Sequence, residues 1–235
     1  MVKNEKWMYN PKEDEQFFFM HIPKTGGTTL RKMLTNHFPD GSYYPSQSDL
    51  INNKGKYFNQ QELVQKKSIL LSKSLIMGHY SVDLIDSLNP NVKTISFFRN
   101  PFDRVMSHVK HILNNEEKWK GGDPNDVIKH RVKLLGGTQT RMINDSNAKN
   151  LQDMLKNIDK LSFVGILEEF ENSIKLLNST FNWSFEIGKK ENVSLSSISE
   201  SITSKSMALI CRNIKLDIIV YDYAYELFEN RLEKL

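Results

Sequence analysis

One stretch limits what this chain can fold into more than any other. Residues 17–30 read FFFMHIPKTGGTTL. Phe17 to Ile22 is a short apolar run stopped by Pro23, the pattern of a strand buried on both faces. Past the turn, Leu30, Met33, Leu34 and His37 recur at helical spacing and predict a helix with one inward face. Between them, Gly26 and Gly27 allow a tight turn and a close approach of backbone to a ligand. Strand, glycine turn, helix is the opening unit of a nucleotide-binding α/β domain. Backbone N–H groups at the helix start would hold an anion, and Thr28 and Thr29 add hydroxyl donors. A capped turn with no ligand shares this pattern, so the stretch alone leaves both readings open.

The rest of the chain repeats the alternation. Leu75–Met77, ending at Gly78, is a strand-like run, as are Val92–Phe98 and Phe163–Leu167. Helical periodicity separates them, which predicts an α/β fold: a central parallel sheet flanked by helices, with a P-loop-like nucleotide-binding core. Asn100 suits a helix N-cap and Pro101 the first helical position. The helix they open carries an apolar stripe of Phe102, Val105, Met106, Val109, Ile112 and Leu113, with Asp103, Ser107 and Lys110 off it. Val127–Leu135, Glu168–Leu177 and the segment bearing Tyr221, Ala224, Phe228 and Leu232 read as further helices, while 45–68 is ambiguous. The length suits a single domain, 1–235, with a flexible polar lead at 1–15 and a lid-like loop at 114–126. Ligands of such sheets bind beyond the carboxyl ends of the strands, which assigns Lys24, Gly78-His79 and Arg99 to one rim.

Composition narrows the partners. Lys+Arg is 32 and Asp+Glu 28, a formal charge of +4 that accommodates an anionic ligand without demanding one. No block of like charges marks a nucleic-acid-binding tail. The one cysteine, Cys211, excludes an intrachain disulfide; within MALICRNI it reads as a small core residue. No run approaches the ~18 apolar residues of a membrane span, and the polar N-terminus lacks a signal-peptide core. The expectation is a soluble, cytoplasmic protein with no membrane span, no nucleic-acid partner and no metal site. Oligomeric state is not legible.

Lys24 sets the phosphate loop apart. The Walker pattern puts its lysine after the last glycine, whereas Lys24 precedes both. No Walker, G-x-G-x-x-G, CxxC, HExxH or GxSxG pattern occurs in the chain, which argues against ordinary P-loop kinases, Rossmann oxidoreductases, zinc peptidases and α/β-hydrolases.

HIPKTGGTTL after one strand and FFRNPFDRVMSHV after another resemble the two cofactor motifs of sulfotransferases. The likeness is to the carbohydrate enzymes of the heparan 2-O-sulfotransferase type and their bacterial relatives. GHYSVD at 78–83, TQTRMI at 138–143, FVGILEEFENSIKLL at 163–177 and YDYAYELF near the C-terminus extend it. The resemblance implies that 3′-phosphoadenosine 5′-phosphosulfate (PAPS) is the donor and adenosine 3′,5′-bisphosphate the product. It implies that Lys24, Thr25, Gly26, Gly27, Thr28 and Thr29 bind the 5′-phosphosulfate, and that Arg99 and Ser107, eight residues on, bind the 3′-phosphate. Lys24 would also act in catalysis, steadying charge on the leaving oxygen, and His79 would be the general base for an acceptor hydroxyl, expected on a saccharide.

Other residues keep two readings each. His21 could brace the loop, and His108 and His111 could face solvent or core. Arg104 and Arg141 could meet the ligand or serve structure, Lys189 and Lys190 could close over the nucleotide, and Trp119 could stack on a sugar. A non-catalytic PAPS- or nucleotide-binding relative and an ATP-dependent kinase with an atypical loop are the competing functions.

Overall fold

The computed structural model describes residues 9, 12, 15–186 and 200–235. The apolar runs form strands β1 (Phe17–Met20), β2 (Tyr43–Tyr44), β3 (Leu75–Gly78), β4 (Lys93–Phe98) and β5 (Phe163–Ile166). They make one sheet in the order β2-β3-β1-β4-β5. The central strand β1 pairs in parallel with both β3 and β4, and β2 pairs in parallel with β3. All of β1 is buried, as an unalternating apolar strand requires. The register places Met20, Gly78 and Ser96 in one row at the carboxyl end.

The helices are α1 (Gly27–His37), α2 (Gln47–Asn52), α3 (Gln60–Gln65), α4 (Lys67–Ser72), α5 (Pro101–Asn115), α6 (Pro124–Leu135), α7 (Thr138–Ile143), α8 (Leu151–Asp159), α9 (Phe170–Phe181), α10 (Ser204–Asn213) and α11 (Lys215–Leu232). A 3₁₀ turn covers Val82–Ser87. The sheet with its helices is the α/β architecture expected from the sequence. The ambiguous stretch 45–68 folds into the short helices α2 and α3 and the start of α4. Reciprocal capping boxes open α2 at Ser46/Asp49 and α3 at Asn59/Glu62.

The chain divides into two compact units, each assembled from separated segments. The first comprises Met1–His21, Gly26–Ser96 and Met142–Val164. Its core is built by Phe17–Met20, Leu30, Leu34, Phe38, Leu75–Met77 and Ile158. The second comprises Ile22–Thr25, Phe97–Arg141 and Gly165–Leu235. In it five residues of the predicted stripe of α5 are buried: Val105, Met106, Val109, Ile112 and Leu113 pack with Val127, Ile128, Val132 and Leu135 of α6 and with Ile210 and Ile214, and the sixth, Phe102, packs against them partly buried. Asn100 caps α5, its side-chain oxygen accepting from the N–H groups of Phe102 and Asp103, and Pro101 takes the first helical position.

Two sequence expectations need correction. Cys211 is exposed on α10, not buried; Ile210 beside it carries the packing. Helical spacing, not local apolarity, decides which of two neighbours faces the core. The last strand stops at Ile166 and the following helix starts at Phe170 rather than Glu168. Leu167 and Glu168 are engaged elsewhere: Leu167 N–H donates to the Phe98 carbonyl, and Glu168 Oε1 accepts from Asn100 N–H. No described helix is long and apolar enough to cross a membrane.

Candidate active site

In the first unit, β1 runs out at Met20, and His21 donates its N–H to the Gly78 carbonyl at the end of β3 (2.9 Å). Gly26, at φ 84°, is the N-cap of α1 and offers no side chain, so the turn relies on a left-handed residue that glycine adopts without strain. The first turn of α1 has neither a side-chain cap nor an acidic residue. Thr29 N–H turns back to the Gly26 carbonyl (3.1 Å), while the N–H groups of Gly27 and Thr28 have no hydrogen-bond partner among the described residues, and no acidic side chain offsets the dipole there. Thr28 and Thr29 are exposed, and their hydroxyls make no hydrogen bond among the described residues. This end of α1 can receive an oxyanion.

Gly27 answers a different need. A Cβ there would lie 1.9 Å from Cδ2 and Nε2 of His21. The His21 ring is stacked on Phe19 (5.3 Å, 14°) and tilted against His79 (4.5 Å). His21 therefore braces the turn, as one reading of the sequence has it. It also directs His79, whose Nδ1 lies 2.6 Å from the His21 carbonyl oxygen. A carbonyl only accepts, so Nδ1 carries the proton, and in the neutral ring Nε2 has the lone pair. His79 is exposed and so able to meet a solvent-borne hydroxyl.

In the second unit, Lys24 sits in the left-handed region at φ 71°, a strained setting for a residue with a Cβ. Thr25, fully buried, donates its hydroxyl to the Ile22 carbonyl (2.9 Å), which closes this turn and leaves only its backbone for a ligand. Arg99, at the end of β4, donates through Nη1 to the Lys24 carbonyl oxygen (3.2 Å). Lys24 and Arg99 are both partly buried. Burial and then the neighbouring Arg99 charge lower the Lys24 ammonium pKa below the ordinary lysine value. Burial also lowers that of Arg99, offset in part by Glu168 and Asp103. Two neighbouring cations, with no carboxylate among the described residues bonded to either, make a site that gains by receiving an anion.

The backbone of Arg99 is gripped by a residue of the TQTRMI stretch to which the sequence assigns no role. Gln139 accepts from Arg99 N–H and donates to the Arg99 carbonyl, both at 2.9 Å. In the same TQTR stretch, Arg141 donates to the carbonyls of Gly136 and Leu134 at the end of α6 and serves structure. Arg104 is also structural: fully buried, it donates to the Leu135 carbonyl. Ser107 lies half-buried on α5, and its hydroxyl makes no hydrogen bond among the described residues. His111 is exposed on α5, and burial followed by the Lys24 charge lowers its pKa. Its nearness to Lys24 is a tertiary fact with no local signal. Trp119 packs on the α5–α6 cluster and near His130 (5.6 Å), the covered-loop reading. Lys189 and Lys190 lie outside the described residues. Among the described residues, no group of His, Cys, Asp and Glu is placed to hold a metal ion.

A family profile described as the Sulfotransferase family matches residues 7–224. No curated protein matches the chain. Two solved structures that match are a sulfotransferase from Alicyclobacillus acidocaldarius and the mouse sulfotransferase SULT7A1 complexed with PAP. The first is 12% identical with a TM-score of 0.45 and covers 87% of this chain and 96% of its own. The second is 13% identical with a TM-score of 0.42 and covers 87% and 72%.

Proposed function

This chain belongs to the sulfotransferase family, and from that premise we propose that it transfers a sulfuryl group from PAPS to an acceptor hydroxyl, most directly one on a carbohydrate. The bond from Arg99 to the Lys24 carbonyl carries this reading, because it ties the strand-end arginine of one motif to the loop lysine of the other. The residues present suit such a donor. An uncapped helix start at Gly26–Thr29 and two partly buried cations suit a nucleotide that carries an anionic group at its 5′ and at its 3′ position. When bound, PAPS supplies a sulfuryl group whose bond to a phosphate oxygen breaks as the acceptor oxygen bonds to sulfur. The remaining work belongs to the chain.

Thr25 through its N–H, the backbone of Gly26 and Gly27, and the hydroxyls of Thr28 and Thr29 hold the 5′-phosphosulfate; Arg99 and Ser107 hold the 3′-phosphate. The Lys24 ammonium meets the charge that gathers on the departing oxygen. Its lowered pKa makes it a better proton donor there. His79 takes the acceptor proton at Nε2, since Nδ1–H is committed to the His21 carbonyl.

The test is thermal stabilisation. A ligand that binds only the folded chain raises its apparent stability, by ~2.7 kcal/mol at a hundred times Kd. Adenosine 3′,5′-bisphosphate should stabilise more than adenosine 5′-monophosphate and more than ATP–Mg²⁺. Stabilisation by ATP–Mg²⁺ with none by the bisphosphate would sink the proposal. His79→Ala should keep bisphosphate binding and lose transfer; unchanged turnover would remove His79 as the base. Saccharides and simple alcohols offered with labelled donor test the acceptor class.

A further inference from the structure

We propose that Gln139 is the positioning residue for Arg99, and that it acts by clamping the Arg99 peptide rather than by touching any ligand. This rests on the reading of Arg99 as the 3′-phosphate ligand. The chain between β4 and α5 must leave a strand, present one guanidinium and enter a helix within a few residues. Each peptide there is held from outside. Phe98 O accepts from Leu167 N–H, Arg99 N–H and C=O are both bonded to the Gln139 amide, and Asn100 N–H donates to Glu168 Oε1. Only a side chain with a donor and an acceptor on one carbon closes both bonds at Arg99, so Gln139 is chemically specific.

The clamp is anchored in turn. Gln139 is fully buried, on the short helix α7. The next residue, Thr140, donates its N–H and its hydroxyl to Asp217 Oδ1 (2.8 and 2.7 Å). Asp217 is fully buried in the first turn of α11. Its position fixes α7, α7 fixes Gln139, and Gln139 fixes the backbone from which the guanidinium reaches the Lys24 carbonyl. All these residues belong to the second unit. An arginine whose backbone cannot shift holds its phosphate at less entropic cost than one on a free loop.

The experiment compares Gln139→Met, which keeps the volume and removes both bonds, with Gln139→Glu, which keeps an acceptor for Arg99 N–H. Calorimetry measures adenosine 3′,5′-bisphosphate and adenosine 5′-monophosphate on each. For Gln139→Met the bisphosphate should weaken up to about tenfold, the cost of ordering a freed Arg99 on binding, with the monophosphate within about twofold of wild type. Gln139→Glu should fall between. In an Arg99→Ala background, Gln139→Met should cause no further loss of bisphosphate affinity. Equal losses for both nucleotides, or a full loss persisting without Arg99, would overturn the proposal. If wild-type protein binds the two nucleotides equally, the phosphate reading of Arg99 fails instead. The clamp is then judged without ligand, by amide hydrogen exchange: Arg99 N–H should exchange faster in Gln139→Met, and an unchanged rate refutes it. If Gln139→Met is too unstable for calorimetry, Gln139→Glu is measured instead: it loses the bond to the Arg99 carbonyl, so bisphosphate affinity should fall while monophosphate affinity holds, and equal effects on the two nucleotides refute the clamp.

Discussion

At the scale of single residues, the loop shows that adjacent glycines can be required for different reasons. Gly26 is needed for its backbone, which is left-handed, and Gly27 for its missing side chain, since His21 fills that space. Gly27→Ala therefore forces the His21 imidazole to move against Phe19 and His79. Overpacking of this kind costs about 1–3 kcal/mol. Thermal denaturation should show that loss, and transfer activity should fall further than the stability loss explains, because the His21 carbonyl orients His79. Adding His21→Ala should restore much of the stability lost by Gly27→Ala, and part of the activity too, because the backbone carbonyl that orients His79 is kept. A Gly27→Ala protein as active and stable as wild type would show that the ring moves aside freely. The sequence announces the candidate anion-binding residues by their type: lysine, arginine, paired glycines and threonines. It cannot announce Gln139 or His111, whose roles depend on which backbone or charge the fold brings next to them.

At the scale of elements, α5 is where local code and tertiary packing agree. Asn100 caps it, Pro101 starts it, and its stripe meets α6. Asn100→Ala removes an acceptor for two N–H groups and should cost ~1 kcal/mol. For a chain of this size that is a fall in Tm of roughly 2–4 °C. Because Arg99 immediately precedes the cap, bisphosphate affinity should drop as well, and a variant with wild-type Tm and affinity would deny the cap its role. The elements carrying such signals are legible from residue order alone: the apolar strands β1, β3, β4 and β5, and helices α1, α5 and α6. Those without such signals are not. Residues 45–68 hold helices of six residues each, too short to show an apolar period, so the capping boxes of α2 and α3 stand without a stripe to confirm them. The boundary after β5 falls where periodicity does not put it, because Leu167 and Glu168 bond to Phe98 and Asn100, partners distant in sequence. Arg104, beside the apolar stripe of α5, keeps a ligand-contact reading in the sequence because nothing local reveals that its guanidinium ends on the Leu135 carbonyl.

At the scale of the whole molecule, the largest histidine shift lies away from the loop, at His37, while His111 beside Lys24 is shifted in the same direction. His37 closes α1, where a cation would ordinarily be welcome at the negative end of the dipole. Here burial dominates: the ring is stacked on Tyr9 (5.3 Å, 18°) and set edge-on to Phe38, and its pKa is pushed down to about 4. Above the unfolded value near 6.5 both states hold neutral imidazole, and His37 has no effect on the pH dependence. As pH falls through about 6.5 the unfolded chain binds a proton that the folded chain refuses, so stability declines by ~1.4 kcal/mol per pH unit, up to roughly 3 kcal/mol by about pH 4. Glu15 acts in a lower window. Burial would raise its pKa, but hydrogen bonds from Lys93, Tyr9 and the Lys12 N–H outweigh burial and hold it below the ordinary glutamate value. Its contribution is therefore present above the unfolded pKa of about 4.5 and lost only as pH falls through the lower folded value. Urea denaturation of the full chain at stepped pH separates the two. His37→Gln should flatten the decline between about pH 6.5 and 4.5 and leave the steeper acid limb in place, while Glu15→Gln should do the reverse. If His37→Gln and wild type lose stability with the same slope above about pH 4.5, the imidazole is not the group that sets the first limb.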